Sequence, residues 1–156
     1  MPDRFARHRA SDLIRAARAD IGMSQAQLAE AVGMSQPNIA AIESGRRTPG
    51  SDVLERILRA ADYRPSIAVE TSARSIIDEG ARHGVRGIRV FGSTARGTDH
   101  FTSDIDMLVR LDPNRSYFDI AAFQNAVEVL TGFPVDVVID DDSRPEFLDD
   151  IESVPL

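Results

Sequence analysis

The chain has 156 residues, contains neither cysteine nor lysine, and carries a formal net charge of −7. Its length fits one domain or two small ones, and 42% hydrophobic with 28% charged residues predict a globular protein rather than a disordered one. Without cysteine it forms no disulfide and no thiolate metal site, and with no long apolar run and no apolar leader it is predicted to be cytoplasmic and outside the membrane.

The charge is distributed unevenly along the chain. Residues 1–66 contain 10 arginines and 8 acids, a net charge of +2, whereas residues 67–156 contain 8 arginines and 17 acids, a net charge of −9. Such asymmetry indicates two modules with different partners. We therefore predict one domain over residues 1–66 and a second over residues 67–156.

The first module has the pattern of four short helices. Serine residues precede apolar positions at helical spacing, and glycines follow three of these runs. The predicted caps are Ser11, Ser24, Ser35 and Ser51, and the predicted helix ends are Gly22, Gly33 and Gly45. Pro65 is predicted to mark the boundary between the modules. The first module is therefore expected to be all-α.

The second module alternates between helical and strand patterns. Predicted helices cover residues 71–83, 117–130 and 145–151, and predicted strands cover residues 88–91, 105–109 and 135–139. In the first of these helices, Ile76, Ile77 and Ala81 are predicted to face the core. This mixture predicts an α/β (α+β) fold for residues 67–156.

Residues 11–63 resemble the helix-turn-helix domains of the Cro and phage-repressor (XRE) class. The resemblance is carried by Gln25, Ala29, Gly33, Ser35-Gln36, Ile39, Ile42 and the run 43–49. Small Ala29 allows two helices to cross closely, and Gly33 permits the left-handed turn between them. The resemblance implies binding to operator DNA, and the low module charge favours a dimer or larger assembly that reads two half-sites.

The candidate DNA contacts divide into base-reading and phosphate-binding residues. They are Gln25, Ser35, Gln36, Asn38, Arg46 and Arg47. Gln36 and Asn38 carry the paired donor and acceptor that match the major-groove edge of adenine, while the others lie where such domains contact phosphates. The arginines at positions 4, 7 and 9 could add phosphate contacts. The alternative is that these side chains only form a solvated surface.

A second motif lies at residues 90–109, VFGSTARGTDHFTSDIDMLV. Ten residues separate Gly92-Ser93 from Asp104-Ile105-Asp106. This pattern resembles the minimal nucleotidyltransferases, the small members of the DNA polymerase β-like superfamily. The resemblance implies nucleotide binding by Gly92, Ser93 and Arg96, a Mg²⁺ site at Asp104 and Asp106, and a third acid on a neighbouring strand, for which Asp136 is the candidate.

The spacing of these residues suits phosphate chemistry. Alternation along a strand puts Asp104 and Asp106 on the same face, where two carboxylates can hold Mg²⁺ ions that bridge the triphosphate of ATP. Alternatives remain at two positions: Arg96 could form a salt bridge within its loop, and Asp136 could be a surface acid at a strand end. The acidic run 140–142 is predicted to be a solvated loop.

The combination of modules suggests an antitoxin. Minimal nucleotidyltransferases commonly serve in toxin–antitoxin pairs, so the resemblance implies AMP transfer from ATP to a co-encoded toxin, often of the HEPN ribonuclease type, and repression of the shared operon. A homodimer or a hetero-oligomer with the toxin is expected. Two alternatives are an antitoxin that neutralises by binding alone, and a transcription regulator that uses the second module as a nucleotide sensor.

Overall fold

The computed structural model describes residues 3–156, so residues 1 and 2 of the predicted first domain lie outside the described residues. The chain begins with four short helices: α1 (Ala10–Ile21), α2 (Gln25–Val32), α3 (Gln36–Glu43) and α4 (Ser51–Ala60). Gly33 has a φ of 69° between α2 and α3. This left-handed residue makes the turn that the sequence predicted.

The helix starts agree only partly with the predicted serine caps. Ser24 caps α2 as predicted and forms a capping box with Gln27. The Ser24 hydroxyl accepts from the backbone N–H of Gln27, and the side-chain oxygen of Gln27 accepts from the backbone N–H of Ser24. The prediction of Ser11 and Ser51 as caps was wrong, because both residues already lie inside their helices. The Ser11 hydroxyl instead donates to the carbonyl of Glu43, which ties α1 to the end of α3.

Helix α5 (Pro65–Arg82) leads from the helical module to the sheet. The predicted helix over residues 71–83 began too late, because Pro65 occupies the first turn, where its missing N–H costs no hydrogen bond. Ile76 is fully buried as predicted. The other two side chains predicted to face inward are exposed: Ile77 and Ala81. The buried stripe of α5 is therefore narrower than the predicted one.

The second module is a four-stranded mixed sheet with helices on one face. Its elements are β1 (Val85–Phe91), α6 (Gly92–Arg96), β2 (Ile105–Leu111), α7 (Tyr117–Thr131), β3 (Val135–Ile139) and β4 (Val154–Pro155). The strand order is β3-β2-β1-β4, and only β2 and β3 are parallel. Helix α7 makes the crossover that a parallel pair requires. The predicted α/β (α+β) fold is confirmed.

The ends of the sheet differ from the prediction. Strand β1 begins at Val85 rather than at residue 88, because an irregularity between Arg86 and Arg89 interrupts the alternation of side chains that indicates a strand. The predicted helix over residues 145–151 is only a short 3₁₀ turn at Glu146–Leu148. Within residues 3–156, no helix is long and apolar enough to cross a bilayer.

The two faces of the sheet have different surroundings. Helices α5 and α7 cover one face, where Ile105, Met107 and Val109 of β2 are fully buried. On the opposite face, Leu108 packs with Leu148 and a few neighbours from the C-terminal segment. That second face is covered over a small area only, which leaves room for polar side chains at its edge.

The two modules share one continuous hydrophobic core. Phe5 is 5% exposed and packs against Tyr63, Phe101 and Phe133, with ring centroids 5.8 to 6.0 Å apart. A Cβ on Gly132 would lie 2.5 Å from the Phe5 ring, so this contact requires glycine there. The N-terminal segment therefore fastens the helical module to the sheet module.

Candidate functional site

Three carboxylates lie at the end of the sheet where strands β2 and β3 begin. In the parallel pair of β2 and β3, Asp106 lies directly opposite Asp136. Because Ile105 and Met107 point into the core, Asp106 points to the sparsely covered face. Asp104 lies one residue before β2 and is exposed. The structure thus brings together all three acids that the sequence singled out.

The electrostatics of Asp106 reflect this crowding. Burial raises the pKa of the Asp106 carboxyl, the negative charges of Asp136 and Asp104 raise it further, and the positive charge of Arg96 partly offsets the rise. A cation bound between these carboxylates would relieve the repulsion among them. The site is therefore suited to an external positive charge.

The predicted phosphate-binding residues lie beside these carboxylates. Strand β1 ends at Phe91, and α6 begins at Gly92 and continues through Ser93 to Arg96. Gly92 has a φ of 66°, and a Cβ there would lie 2.5 Å from Oδ2 of Asp106. Only glycine lets the backbone at the start of α6 approach the Asp106 carboxylate this closely. Arg96 is exposed at the end of α6.

The donor set fits Mg²⁺ held jointly by protein and nucleotide. Across the described part of the chain, no group of three or more His, Cys, Asp or Glu residues is arranged to hold a metal ion by itself. Mg²⁺ usually binds one or two carboxylates together with substrate phosphates and water rather than a full protein cage. The opposed pair of Asp106 and Asp136, with Asp104 nearby, supplies such a partial set of oxygen ligands.

The predicted DNA contacts gather on a second, separate surface. Gln36 and Asn38 lie in the first turn of α3, with Ser35 at its N-cap. The Gln36 amide donates to Oε1 of Gln25 at 2.9 Å, which joins α3 to the start of α2. Arg47 donates to Oδ1 of Asn38 at 3.3 Å. Arg46 is exposed next to Arg47. The six predicted residues therefore form one polar surface around α3.

A buried ion pair supports this surface from behind and was not predicted. Glu43, at the end of α3, is 5% exposed and accepts from the guanidinium of Arg18 and, at 2.8 Å, from the amide of Gln25. Burial opposes ionisation, but the bonds from Arg18 and Gln25 prevail and lower the pKa of Glu43. An acid between the apolar positions of α3 was the available signal.

Two of the N-terminal arginines make contacts within the protein. Arg4 donates to the carbonyl of Gly132 at 2.7 Å, and its guanidinium lies 4.4 Å from the Phe101 ring centroid. Arg7 donates to the carbonyl of Pro49 at 2.8 Å. Both side chains make contacts inside the protein, and Arg7 is exposed as well. Their contact with phosphates stays a prediction.

Comparisons with known proteins agree with the two-part architecture. A helix-turn-helix family profile matches residues 14–67, and a nucleotidyltransferase domain profile matches residues 73–153. Over 78 residues, the chain is 36% identical to a protein of Methanocaldococcus jannaschii provisionally named a protein adenylyltransferase. That match covers 50% of this chain and 84% of the relative.

Two further matches cover one module each. An uncharacterized HTH-type transcriptional regulator of Methanothermobacter thermautotrophicus is 44% identical over 48 residues, which are 31% of this chain and 70% of the relative. A solved structure provisionally described as a minimal nucleotidyltransferase is 33% identical with a TM-score of 0.53. That match covers 58% of this chain and 95% of the chain in the solved structure.

Proposed function

The chain belongs to the nucleotidyltransferase domain family, and from this premise we propose that it is an antitoxin that binds its own operator and transfers AMP from ATP to a partner toxin. The proposal rests on one observation above all. Asp106 and Asp136 lie opposite each other on parallel strands, with Asp104 beside them and Gly92 against the Asp106 carboxylate.

The residues would divide the chemistry as follows. Backbone N–H groups at Gly92 and Ser93 bind triphosphate oxygens, and Arg96 adds positive charge. Asp104 and Asp106, together with Asp136, would hold Mg²⁺; when bound, this ion neutralises charge that develops on the phosphates. Asp136 orients the acceptor hydroxyl and accepts its proton. The acceptor oxygen bonds to the α-phosphorus, the bond to the β-phosphate oxygen breaks, and pyrophosphate leaves.

The acceptor is proposed to be a separate protein. Residues 67–156 are taken up by the sheet, helices α5 to α7 and the short C-terminal segment that crosses the sheet. We propose that the acceptor hydroxyl belongs to another protein, because a relative bears the name of a protein adenylyltransferase. We propose a co-encoded toxin, of the HEPN type, modified at a tyrosine hydroxyl.

The helical module is proposed to repress the operon that encodes this pair. Gln36 and Asn38 lie at the start of α3, where such helices contact base edges, and Arg46 and Arg47 extend the surface towards the backbone phosphates. Two copies of the protein would read two half-sites. Dimerisation would compensate for the low positive charge of a single module.

The test is the intact mass of the partner after incubation with this protein, ATP and Mg²⁺. The wild type should add one or more adenylyl groups, and Asp104→Ala and Asp136→Ala should each abolish the addition. Asp142→Ala, an exposed acid in the neighbouring loop, is the matched control and should transfer normally. Absence of any mass increase with the wild type would reject the catalytic proposal.

A second candidate function, neutralisation by binding, is favoured by exposed aromatic residues. Tyr117 and Phe118 at the start of α7 are 75% and 88% exposed, which suits a protein-binding surface. Rescue from toxicity by Asp104→Ala and Asp136→Ala, with no mass increase on the partner, would support this function instead. Loss of rescue in those variants, with rescue retained by Asp142→Ala, would support transfer.

A further inference from the structure

The loop over residues 97–103 joins the phosphate-binding helix α6 to Asp104, and residues at the module junction hold it. Two of its residues form a tight turn: Ser103 N–H donates to the carbonyl of His100, and the Ser103 hydroxyl accepts from His100 N–H, both at 2.9 Å. Asp104 follows this turn directly. The position of the turn therefore sets where the first carboxylate lies relative to Gly92.

Arg64, at the start of α5, bridges this loop and the helical module. Its guanidinium donates to both carboxylate oxygens of Asp20 on α1, at 2.8 and 2.9 Å. It also donates to the carbonyl of Gly97 at 3.1 Å and to Oδ1 of Asp99 at 2.9 Å. The Asp99 side chain is fully buried and accepts a second bond from the backbone N–H of Ser66.

Asp62 holds the same loop at a second point. Oδ1 of Asp62 accepts from the backbone N–H of Phe101, and Oδ2 lies within hydrogen-bond distance of the His100 ring, both at 2.9 Å. Asp62 has a φ of 49°, a left-handed conformation that disfavours most residues with a Cβ. The Phe101 ring is itself buried in the junction among the rings around Phe5.

We propose that Asp62 and Arg64 are positioning residues for nucleotidyl transfer, because they hold the loop over residues 97–103 that sets the distance from Gly92-Ser93 to Asp104. This inference rests on the proposed function of the sheet module. It makes catalysis depend on the helical module, through contacts that touch neither nucleotide nor acceptor. A displacement of about 1 Å in such a site can cost about a hundredfold in rate.

The experiment compares full-length variants at the two contact points. Asp62→Ala removes the acceptor for Phe101 N–H, whereas Asp62→Asn keeps an acceptor oxygen and tolerates the left-handed backbone. Arg64→Gln breaks the bridge between Asp20 and Asp99. Arg82→Gln is the matched control, since Arg82 is an exposed arginine paired with Glu79 at the far end of α5.

Three quantities are measured for each variant: kcat and KM for ATP in transfer to the partner, hydrogen exchange of the Phe101 amide, and the unfolding temperature. Asp62→Ala and Arg64→Gln should lower kcat by about tenfold to a hundredfold. Asp62→Ala should also speed exchange of the Phe101 amide by at least about tenfold. Asp62→Asn and Arg82→Gln should stay within about twofold of the wild type in kcat.

The outcomes separate the inference from the proposed function. Normal kcat in Asp62→Ala despite faster Phe101 exchange would overturn the inference and leave the transfer activity standing, and so would unchanged exchange. Wild-type protein without any transfer would reject both. Should Asp62→Ala not fold, Arg64→Gln and Asp20→Asn test the same bridge from the helical side. Equal loss of kcat in Asp62→Asn and Asp62→Ala would also contradict the inference.

Discussion

Glu43 is buried and Asp106 is half-buried, and their charges have opposite surroundings. Glu43 in the helical module is held by the guanidinium of Arg18 and the amide of Gln25, and these bonds lower its pKa. Asp106 in the sheet module faces the like charges of Asp136 and Asp104, and burial and repulsion raise its pKa. One carboxylate is neutralised inside the protein, and the other is left to be neutralised from outside.

The charges around a carboxylate distinguish a structural acid from a functional one. A buried carboxylate with its own arginine stabilises a particular packing of helices, and removing either partner strands a charge. Carboxylates that repel one another reduce stability, which a fold tolerates where a ligand cation relieves the repulsion. The following predictions test each side of this contrast.

The largest effect is expected at the mutually repelling carboxylates Asp104, Asp106 and Asp136. The double variant Asp104→Ala/Asp106→Ala should weaken Mg²⁺-dependent binding of ATP by at least about a hundredfold, because these carboxylates and the triphosphate are expected to bind the same Mg²⁺ ion. Isothermal titration calorimetry with and without Mg²⁺ measures this. Asp142→Ala should bind like the wild type. Equal ATP affinity with and without the two acids would remove the nucleotide site from this edge of the sheet.

At the ion pair of Arg18 and Glu43, Arg18→Ala should lower the free energy of unfolding by about 3 kcal/mol, because Glu43 would remain buried without the Arg18 guanidinium. Denaturation in urea measures the loss. The exposed Arg56→Ala on α4 should change stability by no more than about 0.5 kcal/mol. A similar small change in Arg18→Ala would mean that the ion pair contributes no more than a surface contact.

The polar surface in front of Glu43 should respond in DNA binding rather than in stability. Gln36→Ala should lower affinity for the operator by about 1–3 kcal/mol and relax base preference, since one paired donor and acceptor is lost. Arg46→Ala should instead weaken all sequences about equally and reduce the salt dependence. Binding assays on operator and scrambled duplexes separate the two. Unchanged sequence preference in Gln36→Ala would exclude it as a base reader.

The smallest effect has the opposite sign. The raised pKa of Asp106 means that the folded state binds this proton more tightly than the unfolded state, so the ionised carboxylate opposes folding at neutral pH. Asp106→Asn should therefore raise the unfolding temperature by about 2–4 °C at pH 7. The gain should vanish as the pH falls below the usual carboxyl range. Thermal unfolding of Asp106→Asn and the wild type at pH 7 and below the usual carboxyl range measures this difference. A lower unfolding temperature of Asp106→Asn at pH 7 would contradict the prediction.

Local sequence patterns predicted which acids lie near one another but not the contacts that hold the neighbouring loop. Alternation in β2 predicted that Asp104 and Asp106 share a face, and the family resemblance implied Asp136 as a third acid on a neighbouring strand. The strand register places Asp136 opposite Asp106. Spacing could not show that the junction residues Asp62 and Arg64 reach the loop between α6 and β2. Those contacts join segments more than 30 residues apart and depend on how the modules pack.

Some residues have roles that their residue type alone does not indicate. Pro65 was predicted as the boundary between the modules, and it begins α5, the helix that connects them, because proline is accepted in the first turn of a helix. Arg4 was considered only as a possible phosphate contact, and its planar guanidinium also lies over aromatic rings at the junction. Strand β4 has two residues, one of them proline, and such a short edge strand leaves no periodic signal.

The aromatic cluster around Phe5 also has a consequence for synthesis on the ribosome. Phe5 is among the first residues made, whereas Phe133, which packs against it, is made 128 residues later. At about 5–20 residues per second, the nascent helical module waits roughly ten seconds for this partner. Tyr63 of the helical module can cover part of the Phe5 ring before then, but the contact with Phe133 forms only when translation is almost complete. A truncated nascent chain therefore leaves part of this apolar ring open to chaperones.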